Sequence, residues 1–160
     1  MIEQRVREKH DGRLGGPHSI GLWLRLLTCS TIIEKRIRRR FTEQYATTLP
    51  RFDVLAALER QQGGLTMGEL SRRLLVSNGN VTALVRQLEL LEHVRCAPAK
   101  DDRRSMVVSL TAAGRQHFAE LAEAHHHWVD SMLAGMPSER QELLFELLAE
   151  LKASIAAEPA

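Results

Sequence analysis

Residues 65–94 read LTMGELSRRLLVSNGNVTALVRQLELLEHV and contain two helix starts close together. Thr66 is followed three residues later by Glu69, a spacing at which the two side chains satisfy free backbone N–H groups at a helix N-terminus. Ser77 precedes a second segment, 78–91, in which apolar residues recur every three or four positions, as in a helix with one buried face. Two helices joined by a turn of about three residues predict a helix-turn-helix.

The periodicity changes directly after the second of these helices. Val94–Ala97 and Met106–Leu110 are short runs typical of strands, and eight polar or turn-forming residues, 98–105, separate them. This pattern predicts a β-hairpin with a long charged tip. A hairpin that follows a helix-turn-helix makes a winged helix, with a preceding helix that begins near Thr48.

Helical patterns lie on both sides of this region. Ser19–Tyr45 carries two apolar stripes, and Ala112–Ala134 is followed by a last helix in which Ser138 and Gln141 have the capping-box spacing. A helix that is apolar on two faces must bury both, and in a small protein the second face often meets another subunit. The predicted stripes of the first helix are Leu22, Leu26, Cys29, Ile33 and Ile37, and Ile20, Trp23 and Leu27; the predicted face of the last is Leu144, Leu147, Leu148, Leu151 and Ile155.

Charge is unevenly distributed along the 160 residues, although the net charge is only +2. Residues 1–110 hold 19 basic and 12 acidic side chains, whereas residues 111–160 hold 3 basic and 8 acidic ones. Of the 22 basic residues 18 are arginines, whose guanidinium is suited to bidentate contacts with phosphates and base edges. The basic front of the chain favours a polyanionic partner, and an unevenly solvated helical protein is the alternative.

The composition is that of an ordinary globular protein, with 44% hydrophobic and 26% charged residues. Two cysteines, Cys29 and Cys96, are too few for a disulfide framework and favour a reducing compartment. The opening segment MIEQRVREKHDGR is charged throughout, unlike a secretory signal, and no apolar run approaches the roughly 18 residues of a membrane span. We therefore expect a cytoplasmic protein that does not contact a membrane.

The second helix of the pair has a polar face that suits the major groove of DNA. Its apolar residues point inward, which leaves an outward set of Asn78, Asn80, Thr82, Ala83, Arg86 and Gln87. Asn and Gln can pair with adenine, Arg with guanine, and a Thr methyl with a thymine methyl, while Ser77 and the first backbone amides can hold a phosphate. An ordinary solvated face, with Ser77 as a simple cap, is the alternative.

The charged tip of the hairpin predicts a second contact with DNA. Asp102 and Arg104 are two residues apart, so in an extended strand they project to one side and the carboxylate can brace the guanidinium. A braced Arg at the end of a two-stranded ribbon fits the minor groove, with Lys100 and Arg103 at the phosphates. A charged tip that only aids solubility is the alternative.

Together these segments resemble the MarR family of transcriptional regulators. The likeness rests on five motifs within a similarity that extends from about Gly21 to Ile155: Leu65–Leu70, Ser77–Thr82, Leu88–Glu89, Asp102–Ser105 and Leu110–Gly114. It implies a mainly α, winged helix-turn-helix homodimer whose N- and C-terminal helices intertwine in a dimerisation layer. Such proteins usually repress transcription from a pseudo-palindromic double-stranded DNA operator until a small ligand releases them.

The resemblance also assigns roles along this chain. It implies one structural domain with three regions: an N-terminal segment and dimerisation helix (1–47), a DNA-binding winged helix-turn-helix (48–111) and C-terminal dimerisation helices (112–160). Ser77, Asn78, Asn80, Thr82 and Arg86 match the recognition helix of the family, and Asp102 and Arg104 match its wing pair. Ala83 departs from the family, many of whose members carry Arg there, so we expect fewer base contacts from that turn.

A regulator also needs an input, and the family often binds small aromatic acids between the dimerisation helices and the winged helix. The pocket candidates here are His18, Trp23, Arg25, Leu26, Cys29 and Phe52. Trp23 offers a flat apolar wall and Arg25 a partner for a carboxylate, so we expect an anionic aromatic or phenolic acid, or its CoA thioester. Core packing for Trp23 and a surface role for Arg25 are the alternatives.

Three other functions are alternatives to the binding of a small-molecule effector. Redox sensing would use a cysteine, but Arg25 occupies the position of the peroxide-reactive cysteine in related sensors, and we expect Cys29 and Cys96 to be buried and inert. Metal sensing by His125–His127 is unfavourable because consecutive helical residues fan out by about 100° each; no metal or other cofactor is predicted. A metal-dependent enzyme is a remote alternative, because no catalytic motif appears.

Overall fold

The structure, a computed structural model, describes residues 17–61, 63–99 and 105–158. The chain divides into two compact units, Met1–Ala124 and His125–Ala160. The elements are α1 (His18–Tyr45), α2 (Leu49–Glu59), β1 (Leu65–Thr66), α3 (Met67–Leu74), α4 (Asn78–Leu90), β2 (Val94–Pro98), β3 (Met106–Leu110), α5 (Ala112–Leu133) and α6 (Ser138–Ala157). The predicted mainly α fold is confirmed, and within the described ranges no helix is long and apolar enough to cross a membrane.

The predicted helix-turn-helix is α3 and α4, and both predicted caps are present. The backbone N–H of Thr66 donates to the Glu69 carboxylate at 2.8 Å, and the backbone N–H of Glu69 donates to Thr66 Oγ1 at 3.3 Å. Ser77 Oγ accepts from the backbone N–H of Asn80 at 3.4 Å. Leu75 ends α3 in the left-handed region with φ of 55°, which reverses the chain between the two helices.

The predicted hairpin is β2 and β3, which pair antiparallel from Val94 opposite Leu110 to Pro98 opposite Met106. The two-residue strand β1 was not predicted. It pairs with β3 and makes a sheet of order β1-β3-β2. The sequence does not predict β1 because Thr66 is both the last residue of this strand and the cap of α3.

The core of the winged helix is formed by apolar residues from every element of that region. Representative members are the fully buried Leu55 of α2, Leu70 of α3, Val85 and Leu88 of α4, and Val108 of β3. Burial of each such side chain contributes about 1.5–3 kcal/mol. This core fixes which face of α4 points inward and leaves its polar face outside.

The buried face of α1 differs from the predicted stripes. Of the eight stripe residues only Ile37 is buried, together with Leu24, Thr28 and Phe41. The buried face runs through Leu24 and Thr28, which lie one turn apart. The predicted stripes miss this face because Thr28 is polar. The prediction of a buried Cys29 is wrong for the single chain, in which that thiol is exposed.

The start of α6 also differs from the prediction. Ser138 does not cap the helix, because Pro137 is the N-cap residue. The Gln141 side-chain amide donates instead to the backbone carbonyls of Met136 at 2.8 Å and Leu133 at 3.3 Å, so the predicted capping box is wrong. Gln141 thereby donates to two carbonyl groups at the end of α5, where the helix itself supplies few donors.

Candidate nucleic-acid interface

The outward face of α4 is polar and accessible. Asn78, Asn80, Arg86 and Gln87 are exposed, and Thr82 is half-buried. The opposite face is fully apolar and buried, so the helix cannot rotate without exposing it. The arrangement presents amide and guanidinium groups on a rigid helix, which is what reading of base edges requires.

The first turn of α4 has its own hydrogen bonds. Ser77 Oγ is engaged with the Asn80 backbone N–H, and Thr82 Oγ1 donates to the backbone carbonyl of Asn78 at 2.9 Å. The hydroxyl of Thr82 is therefore used within the helix, and its methyl group remains for an apolar contact such as a thymine methyl. Ser77 acts as the cap, as the alternative reading allowed, while the remaining first-turn amides can still meet a phosphate.

One contact at this face was not predicted from sequence. Arg51, near the start of α2, donates from Nε to Gln87 Oε1 at 3.1 Å. One of the two lone pairs of the Gln87 oxygen is therefore engaged, while the NH2 group of the side chain takes no part in this contact. Thirty-six positions separate the two residues, so periodicity within either helix carries no signal for this pair.

Further cations surround the helix-turn-helix. Arg72 and Arg73 lie in the last turn of α3 and are exposed. Arg95 in β2 is also exposed and donates from Nε to Ser109 Oγ of the facing strand at 3.2 Å. The winged region thus carries positive charge on helix and strand alike, which suits a polyanion.

The predicted contacts at the hairpin tip, Lys100, Asp102, Arg103 and Arg104, lie outside the described residues. The described base of the hairpin is regular, and the backbone N–H of Ala99 donates to the carbonyl of Ser105 at 2.8 Å. This pairing extends the ladder beyond Pro98 and Met106. The bracing of Arg104 by Asp102 therefore stays a prediction.

The predicted pocket residues occupy different environments. His18, Trp23, Arg25 and Cys29 are exposed along the first half of α1, and Leu26 is half-buried. Phe52 of α2 is buried instead, with its ring 5.0 Å from that of Phe41 and 5.6 Å from that of Phe118. Phe52 is thus part of the aromatic packing of α1, α2 and α5, whereas the α1 candidates face outward in the single chain.

The two alternative sensor elements lie in β2 and α5. Cys96 in β2 is half-buried, and burial, followed by the neighbouring Glu89 carboxylate, raises the pKa of its thiol, which makes it a poor nucleophile. His126 pairs with Asp130 at 3.1 Å on the exposed side of α5. Among the described residues no three His, Cys, Asp or Glu side chains are grouped as metal ligands would be.

The winged-helix region is also the part of the chain that matches a known family. Residues 47–105 match the model of the MarR family. The chain is 36% identical over 104 residues to the transcriptional activatory protein BadR of Rhodopseudomonas palustris, a match that covers 64% of this chain and 59% of BadR. It is 30% identical over 117 residues to the regulator TtmR of Methylorubrum extorquens, covering 73% of this chain and 58% of TtmR. The chain thus spans about three-fifths of the length of these curated relatives.

A solved structure of a transcriptional regulator is similar to this one over more of the chain. The transcriptional regulator BldR of Sulfolobus solfataricus superposes with a TM-score of 0.71 at 27% identity, covering 86% of this chain and 99% of BldR. The helix-turn-helix with its hairpin defines a winged-helix protein. The chain belongs to the MarR family, as the sequence motifs predicted. Its relatives are transcriptional regulators rather than enzymes.

Proposed function

We propose that this protein is a cytoplasmic, ligand-responsive transcriptional regulator that binds double-stranded DNA as a homodimer. The observation that carries the proposal is α4, whose Asn78, Asn80 and Arg86 are exposed on a helix fixed by the buried Val81, Val85 and Leu88. A helix of 13 residues with such side chains fits the major groove, where Asn reads adenine and Arg reads guanine.

A homodimer would place two copies of α4 on one face of the duplex. Recognition helices of a two-fold dimer read half-sites about one helical turn apart, so the operator would be pseudo-palindromic. Support for the dimer comes from exposed apolar side chains in the single chain, such as Leu22 (54%) and Trp23 (55%) of α1 and Leu147 (50%) of α6. Exposed apolar area of this kind marks a protein interface.

The wing would add contacts beside each half-site. We propose that Arg104, braced by Asp102, enters the minor groove and that Lys100 and Arg103 contact phosphates. Arg104→Ala should lower operator affinity strongly. Asp102→Ala should lower it less, because Arg104 is still present in that variant. If Arg104→Ala bound the operator like the parent chain, the wing assignment would fail.

For the input we propose a small aromatic or phenolic acid, or its CoA thioester. The exposed Trp23 and Arg25 of α1, one apolar and flat and the other cationic, support this chemistry. Such an effector would release the DNA, so it should weaken operator affinity while raising the thermal stability of the protein. A compound that stabilises the protein and leaves operator affinity unchanged would argue against the coupling.

The sign of the regulation is proposed to be repression, the usual mode implied by the sequence resemblance. BadR is named a transcriptional activatory protein, so the sign needs its own test. Transcription in vitro from a template that carries the selected operator separates the two modes. Repression predicts fewer transcripts when the protein is added, and more transcripts would reverse the sign without affecting DNA binding.

The test of DNA binding uses a fluorescent duplex selected from a random library by the full chain. Affinity should fall steeply with salt, because bound phosphates release counterions. Asn80→Ala and Arg86→Ala should each lose about 1–3 kcal/mol and relax base preference at one position per half-site. Arg140→Ala is the matched control, since Arg140 lies in α6 and not in the winged helix; an equal loss there would contradict the assignment to α4.

A further inference from the structure

Two histidines are stacked at the point where the recognition helix, the wing and α5 meet. His93 lies between the end of α4 at Leu90 and the start of β2 at Val94, and His117 lies in the second turn of α5. Their ring centroids are 4.3 Å apart and their planes are inclined by 22°. The periodicity of the sequence does not predict this pair, because His93 falls between two elements.

The backbone of His93 holds the same junction together. Its N–H donates to the carbonyl of Leu88 at 2.9 Å, and its carbonyl accepts from the backbone N–H of Thr111 at 3.0 Å. Thr111 in turn caps α5 by accepting from the backbone N–H of Gly114 at 2.9 Å. A Cβ at Gly114 would overlap the His93 carbonyl, so only glycine allows α5 to approach this closely.

The ring of His93 is built for the neutral state. Its Nδ1 is buried and has no hydrogen-bond partner within the described part of the chain. A neutral imidazole can leave one ring nitrogen as a free acceptor, whereas an imidazolium carries a proton on both nitrogens and needs two acceptors. A proton on Nδ1 would therefore be a buried donor without an acceptor.

The charged groups around His93 oppose protonation as well. Burial, then His117 from α5 and then Arg51 from α2 lower the pKa of His93 below its ordinary value of 6.5. No carboxylate is among the causes of this shift. Glu89 is beside Cys96, and Glu92 offers the junction its backbone carbonyl, which accepts from Thr111 Oγ1 at 2.7 Å.

Arg51 connects the histidine pair to the recognition helix. Its Nε donates to Gln87 Oε1 of α4 at 3.1 Å, and its charge is one of the causes that lower the pKa of His93. A positive charge on His93 would therefore repel a guanidinium that is bonded to the DNA-reading helix. His93 is thus stacked on His117 of α5 and coupled electrostatically to Arg51 of α2, and Arg51 is bonded to Gln87 of α4.

We propose that the stacked pair His93–His117 is a proton-sensitive link that holds the recognition helix and the wing in their DNA-binding arrangement only while the His93 ring is neutral. Acidification would place a charge on His93, part the two rings and loosen the junction. The direction is informative, because added positive charge by itself strengthens binding to a polyanion. A loss of affinity in acid therefore cannot come from net charge.

The linkage also fixes the pH range. Because the folded chain holds His93 below the pKa of an ordinary imidazole, the unfolded chain takes up its proton first as the pH falls. The contribution of neutral His93 to the free energy of unfolding is complete above about pH 6.5 and is lost as the pH falls through the lower pKa that His93 has in the folded state. Each unit by which the pKa is lowered corresponds to about tenfold in the folding equilibrium.

The experiment measures operator affinity and thermal unfolding of the full chain between pH 7.5 and 5.5, for the parent, His93→Leu and His117→Phe. Leu has a volume similar to that of His but cannot take up a proton, and Phe keeps a flat ring against His93. Either variant therefore tests the pair if the other does not fold. His127→Phe, at an exposed position of α5, is the matched control. The probe is the duplex selected by the parent chain at pH 7.5.

The proposal expects the parent and the His127→Phe control to lose affinity about tenfold or more in acid, and His93→Leu to lose much less. Equal acid sensitivity in the parent and His93→Leu would overturn it. The proposal rests on DNA binding, and the unfolding arm separates the two failures. If no duplex is selected at any pH, the proposed function fails, and the pair is then supported only if His93→Leu removes the acid-induced fall in unfolding temperature.

Discussion

The winged helix and helix α6 use apolar residues in opposite ways. In the winged helix, residues such as Leu55, Leu70 and Val108 are buried within the single chain. In α6 no residue is buried, and Leu143, Leu144 and Leu148 keep 54%, 40% and 40% of their surface exposed. The first region satisfies its own hydrophobic requirement, whereas the second presents a leucine-rich helix to its surroundings.

This difference separates folding from assembly within one chain. A region with a complete core takes its stability from intramolecular packing, and its contribution is independent of protein concentration. A helix with an exposed apolar face gains stability when a second copy covers it, and that gain depends on concentration. We therefore expect substitutions in the winged-helix core to lower stability without changing assembly, and substitutions on the apolar face of α6 to change assembly.

The largest effect is expected from placing charge on α6. Leu144→Glu together with Leu148→Glu should prevent the proposed homodimer, because carboxylates do not tolerate burial in an apolar interface. Sedimentation should show a monomer, and operator affinity should fall by about 10²–10⁴-fold as two linked half-site contacts become independent. Glu142→Gln with Glu146→Gln, on the same helix, is the control, and an unchanged dimer in the Leu variant would remove the distinction between the two regions.

A loss of stability without a change of assembly is expected from the winged-helix core. Leu88→Ala removes a fully buried side chain of α4 and should lower the free energy of unfolding by about 2–5 kcal/mol. Leu90→Ala is its matched control two residues later, because that side chain is 85% exposed and its loss should change stability by about 0.5 kcal/mol or less. Urea unfolding measures both, and equal effects would mean that α4 packs through a different face.

The smallest effect is expected from a substitution that stabilises the winged helix. Leu75 adopts φ of 55° with 91% of its surface exposed, a conformation that L-residues adopt at a cost of about 1–2 kcal/mol. Leu75→Gly should raise the free energy of unfolding by up to about 1 kcal/mol, since the greater freedom of glycine in the unfolded chain offsets part of the gain. Leu90→Gly, within the helical region, should instead lower it by about 1 kcal/mol.

The sequence predicts the winged helix closely because its signals are local. The caps at Thr66 and Ser77 and the two short strand-like runs of the hairpin each involve residues a few positions apart, and the structure confirms them. The two-residue strand β1 escapes because pairing with β3 joins segments about forty positions apart. The polar face of α4 is likewise predicted from periodicity, whereas the contact between Arg51 and Gln87 depends on how two helices pack.

The long helices are predicted less well because their apolar patterns serve more than one surface. α1 carries enough apolar residues for two faces, and the sequence does not distinguish the face that packs within the chain, marked by Leu24 and Thr28, from the face left exposed at Trp23 and Cys29. The cap of α6 fails for a related reason. Gln141 at the capping distance has a second use at the end of α5.

Reading of DNA by α4 is tested by selecting binding sites for the full chain from a random duplex library and sequencing them. We expect enrichment of two inverted half-sites whose centres are about 10–10.5 base pairs apart, and we expect Asn80→Ala and Arg86→Ala to weaken the base preference at the enriched positions of each half-site. Enrichment of a single half-site would contradict the dimer. No enrichment above the library, or sites that are insensitive to both α4 variants, would contradict the claim that α4 reads DNA.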